Sequence, residues 1–311
     1  MSKIIFSLLI HEQPIVVLDQ IINILKLNPD SKIVLHCNLN FIDANDFSLE
    51  SLMSLVANDE RIIVNKNRLK VGWGNIIQAH ISNFEFVSSY DFDYFYFISS
   101  NELFLKKNVS DFISNYDFGC ECKSSNNWHY YESMLNDLQF MNYLKMKNYS
   151  IYYSQIEGSF YSKKIMKKIV DEINSFFKSD NNSFFYPREE VFYSTIACNM
   201  FNDMRRYNGV LCKIRWEGKI LFTSISSAKK ICYGSFRFYS VKRVDRHIDN
   251  YLRYYIRHYL LRYDDDFLKV YEYKFKKYSL CKIKIIDFFY RFIYFIRDKI
   301  AKFYRFVLRK K

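Results

Sequence analysis

Between residues 3 and 99, seven short segments alternate between two periodicities, and no other feature limits the fold as tightly. KIIFSLLI (3–10), KIVLHC (32–37), RIIVN (61–65) and YFYFIS (94–99) are near-continuous apolar runs of strand length. Between them, IVVLDQIINILKL (15–27), SLESLMSLVA (48–57) and NIIQAHISNFEFV (75–87) carry helical spacing. Strands that are apolar on both faces and alternate with helices predict an α/β fold with a mostly parallel central sheet covered on both sides. Ligands of such sheets bind beyond the carboxyl ends of the strands. Those ends are His11, the segment 37–40, the loop KVGWGN (70–75) and the segment SSNE (99–102).

Beyond residue 125 the pattern turns more helical, with short strands expected near 158–161 and 210–216. From about Asp245 the chain reads as basic aromatic helices. Only 7 glycines and 3 prolines occur, and half of the residues are apolar, which excludes disordered, low-complexity and linker-rich organisation. No run approaches the roughly 18–20 apolar residues of a membrane span, and the apolar stretch at the start is too short for a signal peptide. The 7 cysteines are scattered, with only Cys120 and Cys122 close together. They are expected to be reduced, buried thiols of a cytosolic protein.

Charge divides the chain. Residues 1–204 carry 18 Lys and Arg against 24 Asp and Glu, a balance of −6; residues 205–311 carry 28 against 9, a balance of +19. The basic part calls for an anionic partner: a phosphate-bearing substrate, a membrane surface or a nucleic acid. No nucleic-acid recognition motif is present. On a helix at about 100° per residue, Asp287, Arg291, Asp298, Lys302, Arg305 and Arg309 form one stripe. Phe289, Ile293, Ile296, Ile300, Phe303 and Val307 lie opposite. That division suits a helix lying in a membrane interface, or one docked on the protein's own core.

Several residue groups could carry chemistry. Asp91 and Asp93 form an Asp-x-Asp, yet they precede the strand YFYFIS, where a solvated strand start is expected rather than a metal pair. Glu102, after that strand, is a single carboxylate that could bond a sugar hydroxyl, with Asn101 beside it; one Glu makes a weak Mg²⁺ or Mn²⁺ site. Gly72, Trp73 and Gly74 permit a tight turn or close approach to a ligand, and Asn75 could cap the next helix. His11 could touch a nucleotide or belong to the core. Glu189 and Glu190, in YPREEVFYSTI (186–196), could both be acids of a helix's first turn. At most one of them can aim into a site.

Four of these segments resemble, in order, the core-2/I-branching β-1,6-N-acetylglucosaminyltransferases, a family that includes the peptide xylosyltransferases. LLIHEQPIVVLDQIINIL is similar to that family's opening strand, histidine and first helix. RIIVNKNRLKVGWGNIIQAHISNFEFV resembles its W-G/S-x-x-x-x-A segment, and FDYFYFISSNELFLKKN its D-Y-x-x-x-L-S-G-Q-D-Y-P-L-K stretch. EGSFYSKKIMKKIV looks like its G-S-x-(Y/W) segment and EEVFYSTI its D-E-x-x-x-x-T helix; FRFYSVKRVD (236–245) is fainter. Departures are HCN (36–38) for the family's H-V-D, Ser100-Asn101 for Gly-Gln, and Phe104 for Pro.

The resemblance implies a GT-A-like, nucleotide-sugar-binding fold over 1–245, followed by a basic helical extension over 246–311. It implies an inverting glycosyltransferase that needs no divalent metal or other cofactor, with Glu190 as the general base. Donor contacts fall on His11, Gly72, Trp73, Gly74, Arg215, Lys242 and Arg243, with Lys219 as an alternative upstream cation. Acceptor or sugar contacts fall on Asn101 and Glu102. The expected partners are a UDP-sugar, most simply UDP-GlcNAc, a saccharide or lipid-linked saccharide acceptor, and an anionic membrane reached through 287–311. The family's animal disulfides and N-terminal anchor have no match, so the expected setting is bacterial and cytoplasmic, on the inner face of the membrane. The rival readings are a metal-dependent GT-A enzyme using Asp91 and Asp93, and a non-catalytic membrane adaptor.

Overall fold

The computed structural model of the chain describes residues 2–11, 13–39, 53–54, 56–178, 186–201, 207–214, 216–217, 220–221, 223–262 and 277–308. Most of the helix expected at 48–57, together with Arg215 and Lys219, lies outside the described residues.

The chain divides into two compact units. One comprises Met1–His11, Asp30–Ser100 and Asn108–Leu211; the other Glu12–Pro29, Asn101–Lys107 and Cys212–Lys311. The expected boundary at residue 245 is therefore not followed: residues 246–311 belong with three earlier segments.

The first unit is an α/β structure around a seven-stranded, mostly parallel sheet. Its strands β1 (Ile4–Ile10), β2 (Lys32–Cys37), β3 (Ile62–Asn65) and β4 (Tyr94–Ile98) match the four apolar runs to within a residue. β1 and β4 are buried along their whole length, which is why these strands read as unbroken apolar runs rather than as alternation. β1 pairs in parallel with β2 on one side and β4 on the other, and β3 extends the sheet beyond β2. Past β4 the sheet continues through β7 (Phe160–Ser162), antiparallel to β4 and to β6 (Phe118–Gly119), with β8 (Tyr207–Asn208) at the far edge. Strand order thus reverses at β1, because β2 lies to one side and β4 to the other. Helix α2 (Ile77–Phe86) packs on β1–β3, and α3 (Lys163–Phe177) on β4 and β7. Beneath α2, Ser7 bonds His80 Nδ1 at 2.8 Å, and Asn83 donates to Ser7 Oγ at 3.0 Å and accepts from Asn65 at 2.9 Å. Linked partners remove the cost of burying these polar groups.

The second unit holds α1 (Pro14–Leu27) and a three-stranded sheet in which β10 (Ser240–Lys242) lies between β9 (Cys212–Lys213) and β5 (Glu102–Phe104). Its helices include α5 (Ile225–Tyr233), α6 (Tyr251–Tyr255), which passes into a π turn over Ile256–Leu260, and α7 (Leu280–Leu308). Gln20 and Asn23 of α1 donate to the carbonyls of Glu102 and Phe104 at 2.9 and 3.0 Å. α7 docks through its first turns: Ile283 and Asp287 are buried, Asp287 Oδ1 accepts the Ile225 N–H at 3.0 Å, and Tyr290 stacks on Tyr251 at 5.5 Å. Asp287, read from sequence as part of the charged stripe, is buried and caps α5. The opposite arc, including Phe288, Phe289, Phe292, Ile293, Phe295, Ile296 and Ile300, is exposed. No helix among the described residues is long and apolar enough to cross a membrane.

Candidate functional site

In the first unit, the carboxyl ends of β1 and β4 meet where the strand order reverses, the place where open α/β sheets form a ligand crevice. His11 stands there, exposed rather than in the core, with its Nε2 3.2 Å from Ser100 Oγ. Asp91 and Asp93 lie at the opposite, amino end of β4. Asp91 pairs with Lys3, whose backbone N–H donates to Asp93 Oδ2 at 2.8 Å.

The loop after β3 makes a tight turn at Gly72–Asn75, closed by the Asn75 N–H bonding the Gly72 carbonyl at 3.0 Å. Gly74 has φ 84°, a conformation glycine adopts without strain. Asn75 is used in this turn; Ile76 occupies the N-cap position of α2, without a side-chain cap. The turn holds Trp73 out in solvent, 71% exposed, with its ring 5.7 Å from that of Tyr130.

Glu189 and Glu190 lie in a 3₁₀ turn, Arg188–Glu190, that precedes α4 (Phe192–Met200). They are therefore not first-turn acids of that helix. Successive residues of a 3₁₀ turn point about 120° apart, and the two carboxylates separate accordingly. Glu189 is buried, and its charge, after burial itself, helps push the Tyr193 phenol well above its usual range. Glu190 is half-buried, and its Oε2 accepts from Trp128 Nε1 at 3.1 Å. Trp128 stacks on Tyr153 at 5.9 Å and lies 5.5 Å from Tyr130, whose phenol is raised by burial and then by the charge of Glu190. Beneath the turn, Arg188 donates to the fully buried Asp137 at 3.1 Å, and Tyr186 donates to the same oxygen at 2.9 Å. The turn is thus held from below.

Cys198 of α4 is joined to Cys122, correcting the expectation that every thiol is reduced. The bond links two segments 76 residues apart, a separation for which loop entropy predicts about 4 kcal/mol of stabilisation. Cys120 Sγ lies 4.0 Å from Cys198 Sγ. These three cysteines form the one group among the described residues whose ligand atoms are close enough to share a metal ion, and the disulfide occupies two of them.

In the second unit, Asn101 and Arg243 line one cleft of about 360 Å³, with Thr223, Arg246, His247 and Asn250 among its other walls. Val244 N–H bonds the Asn101 carbonyl at 3.2 Å. Arg243 sits at φ 71°, a conformation costly for a residue with a Cβ and concentrated at functional sites. Glu102 belongs to strand β5 rather than to a loop; it is fully buried, bonded by Ser240 Oγ, and opposite Lys242 in the β5–β10 register. Trp128, Tyr130, Arg246 and His247 were not singled out from sequence. The aromatic density of NNWHYYE (126–132) was the signal for the first two.

No protein-family model matches the chain, and no curated protein matches it. Among solved structures the chain is similar to an active-site mutant of LgtC, with a TM-score of 0.42 and 9% identity over 77% of this chain and 86% of that one. It is also similar to the galactosyltransferase LgtC in complex with donor and acceptor sugar analogs, with a TM-score of 0.41 and 8% identity over 89% and 98%. A third similarity is to the glycosyltransferase GlyE of Streptococcus pneumoniae TIGR4, with a TM-score of 0.35 and 9% identity, over 67% of this chain and 45% of that one.

Proposed function

We propose that the chain is an inverting glycosyltransferase of GT-A-like fold, moving a sugar, most simply GlcNAc from UDP-GlcNAc, onto a saccharide acceptor of a surface polysaccharide or lipid-linked glycan. The observation that carries this reading is the carboxylate of Glu190, half-buried and fixed by the N–H of the buried Trp128, from which a run of rings leads through Tyr130 to the exposed Trp73. As general base, Glu190 takes the proton of the acceptor hydroxyl; the hydroxyl oxygen bonds to the anomeric carbon as the bond from that carbon to the diphosphate breaks and UDP leaves. Attack opposite the leaving group inverts the centre. The charge growing on the diphosphate is assigned to fixed cations, Lys242 and Arg243, as the motif implies. His11 is assigned to the nucleoside. Asn101 keeps a sugar-binding role, and Glu102 becomes its support through the Ser240 bond.

Divalent metal is not required in this scheme. UDP release from a panel of UDP-sugars, with a saccharide acceptor and with or without EDTA, tests it. Turnover that survives EDTA is expected, and no turnover from any donor would overturn the reading. Turnover lost in EDTA and restored by Mn²⁺ would transfer support to Asp91 and Asp93, against which their pairing with Lys3 at the amino end of β4 now counts.

The exposed aromatic arc of α7, in a segment of balance +19, supports a second assignment: α7 lies on an anionic membrane, at its inner face. The Cys122–Cys198 bond opposes a reducing cytoplasmic location, whereas the supply of nucleotide sugars favours it. Co-sedimentation with phosphatidylglycerol vesicles is expected and should fall at least tenfold when Phe288, Phe292 and Phe295 are changed to Ser. Equal binding by that variant would remove the membrane assignment.

A further inference from the structure

Trp73 presents a puzzle that the transfer scheme does not resolve. A tryptophan 71% exposed leaves a large apolar ring in water, and the chain devotes a glycine at φ 84° to holding it there. It is also not isolated: its ring lies 5.7 Å from Tyr130, Tyr130 lies 5.5 Å from Trp128, and Trp128 donates to Glu190. A line of rings therefore runs from solvent to the carboxylate. His129, exposed, packs on Tyr130 at 4.0 Å and extends the surface.

We propose that Trp73 and Tyr130 form a stacking platform for a neutral pyranose ring of the acceptor saccharide, which they align with Glu190. The inference rests on the glycosyltransferase reading and reassigns Trp73 from donor to acceptor. Charge decides between the two. The C–H bonds on one face of a pyranose are polarised by the neighbouring oxygens and settle on the electron-rich face of an aromatic ring. A nucleoside diphosphate would bring its phosphates toward the Glu190 carboxylate, and like charges at short range repel by several kcal/mol in a partly desolvated site. A neutral sugar carries no such penalty. Position agrees, because the sugar nearest a general base is the one whose hydroxyl it deprotonates.

Steady-state transfer with Trp73→Ala is expected to raise the KM for the acceptor about tenfold or more. The acceptor KM should rise far more than the donor KM, and Trp73→Phe should restore most of the loss. A rise in donor KM with no change for the acceptor, or no change in either, would overturn the platform. Titration with chitotriose in the absence of donor separates this outcome from failure of the transferase reading. The saccharide should shift the tryptophan fluorescence of the wild type and not that of Trp73→Ala. That shift, in a protein that turns over no donor, would keep the platform and discard the transferase; no shift at all would discard the platform.

Discussion

Glu190→Gln is expected to lower the rate of transfer by roughly 10²–10⁴-fold, the range that a positioned general base contributes. The substitution keeps shape and keeps an oxygen to accept the Trp128 N–H, now 3.1 Å from the carboxylate, so the turn and the aromatic rings should stay in place. What is lost is basicity alone. The loss should therefore appear in kcat, with the donor KM within a few fold of wild type and the melting temperature nearly unchanged. Glu189→Gln is the internal control, and it should behave differently. Glu189 is 5% exposed, so its replacement should change stability more than rate. Transfer by Glu190→Gln within a few fold of wild type would end the base assignment, and a large kcat loss confined to Glu189→Gln would reverse the two roles.

Motif order singled out the second acid of the pair as the base, and in the structure that acid is the half-buried one that bonds Trp128. The reason lies in a 3₁₀ turn that periodicity did not show. Physical causes divide what could be read from what could not. β1 to β4 were legible because strands buried on both faces must be apolar throughout, and α1 and α2 because their apolar residues recur at helical spacing. Glu102 was read as a loop acid because the strand that contains it exists only through pairing with β10, 138 residues later; a three-residue strand has no period of its own. The turn at Gly72–Asn75 was legible from its glycines, but the exposure of Trp73 was not, since an apolar residue in a sequence is first expected to be buried. The Cys122–Cys198 bond follows from the approach of α4 to the segment after β6, which spacing along the chain does not encode. The docking of the first turns of α7 was not legible for a similar reason: Asp287 is buried because it caps α5, a demand from another element.

Asp19→Ala is expected to be among the most destabilising single substitutions in the chain. Asp19, 1% exposed on α1, accepts from Arg253 Nη1 at 2.7 Å and from Arg257 Nε at 3.1 Å, and both guanidinium groups are equally buried. The two arginines are four residues apart, in α6 and the π turn that follows, and so reach the same carboxylate. Removing one partner of a buried ion pair costs about 3–5 kcal/mol, because the remaining charge stays buried without its counter-charge; here two cations lose the same anion. A fall in melting temperature on the order of 10 °C follows. Asp19→Asn should recover part of it by keeping an acceptor while losing the charge. A change of less than about 2 °C in both variants would show that the pairing contributes little. The Asp19 pairing also crosses the boundary first expected at residue 245. Cutting there removes Arg253 and Arg257, the partners of Asp19, together with Leu252, Tyr255 and Ile256 from the core of the second unit, so residues 1–245 should not fold on their own. The basic aromatic segment is then two things in succession: helices that complete a core, through Arg253, Arg257, Ile283 and Asp287, and beyond them an aromatic arc of α7 that the core leaves uncovered.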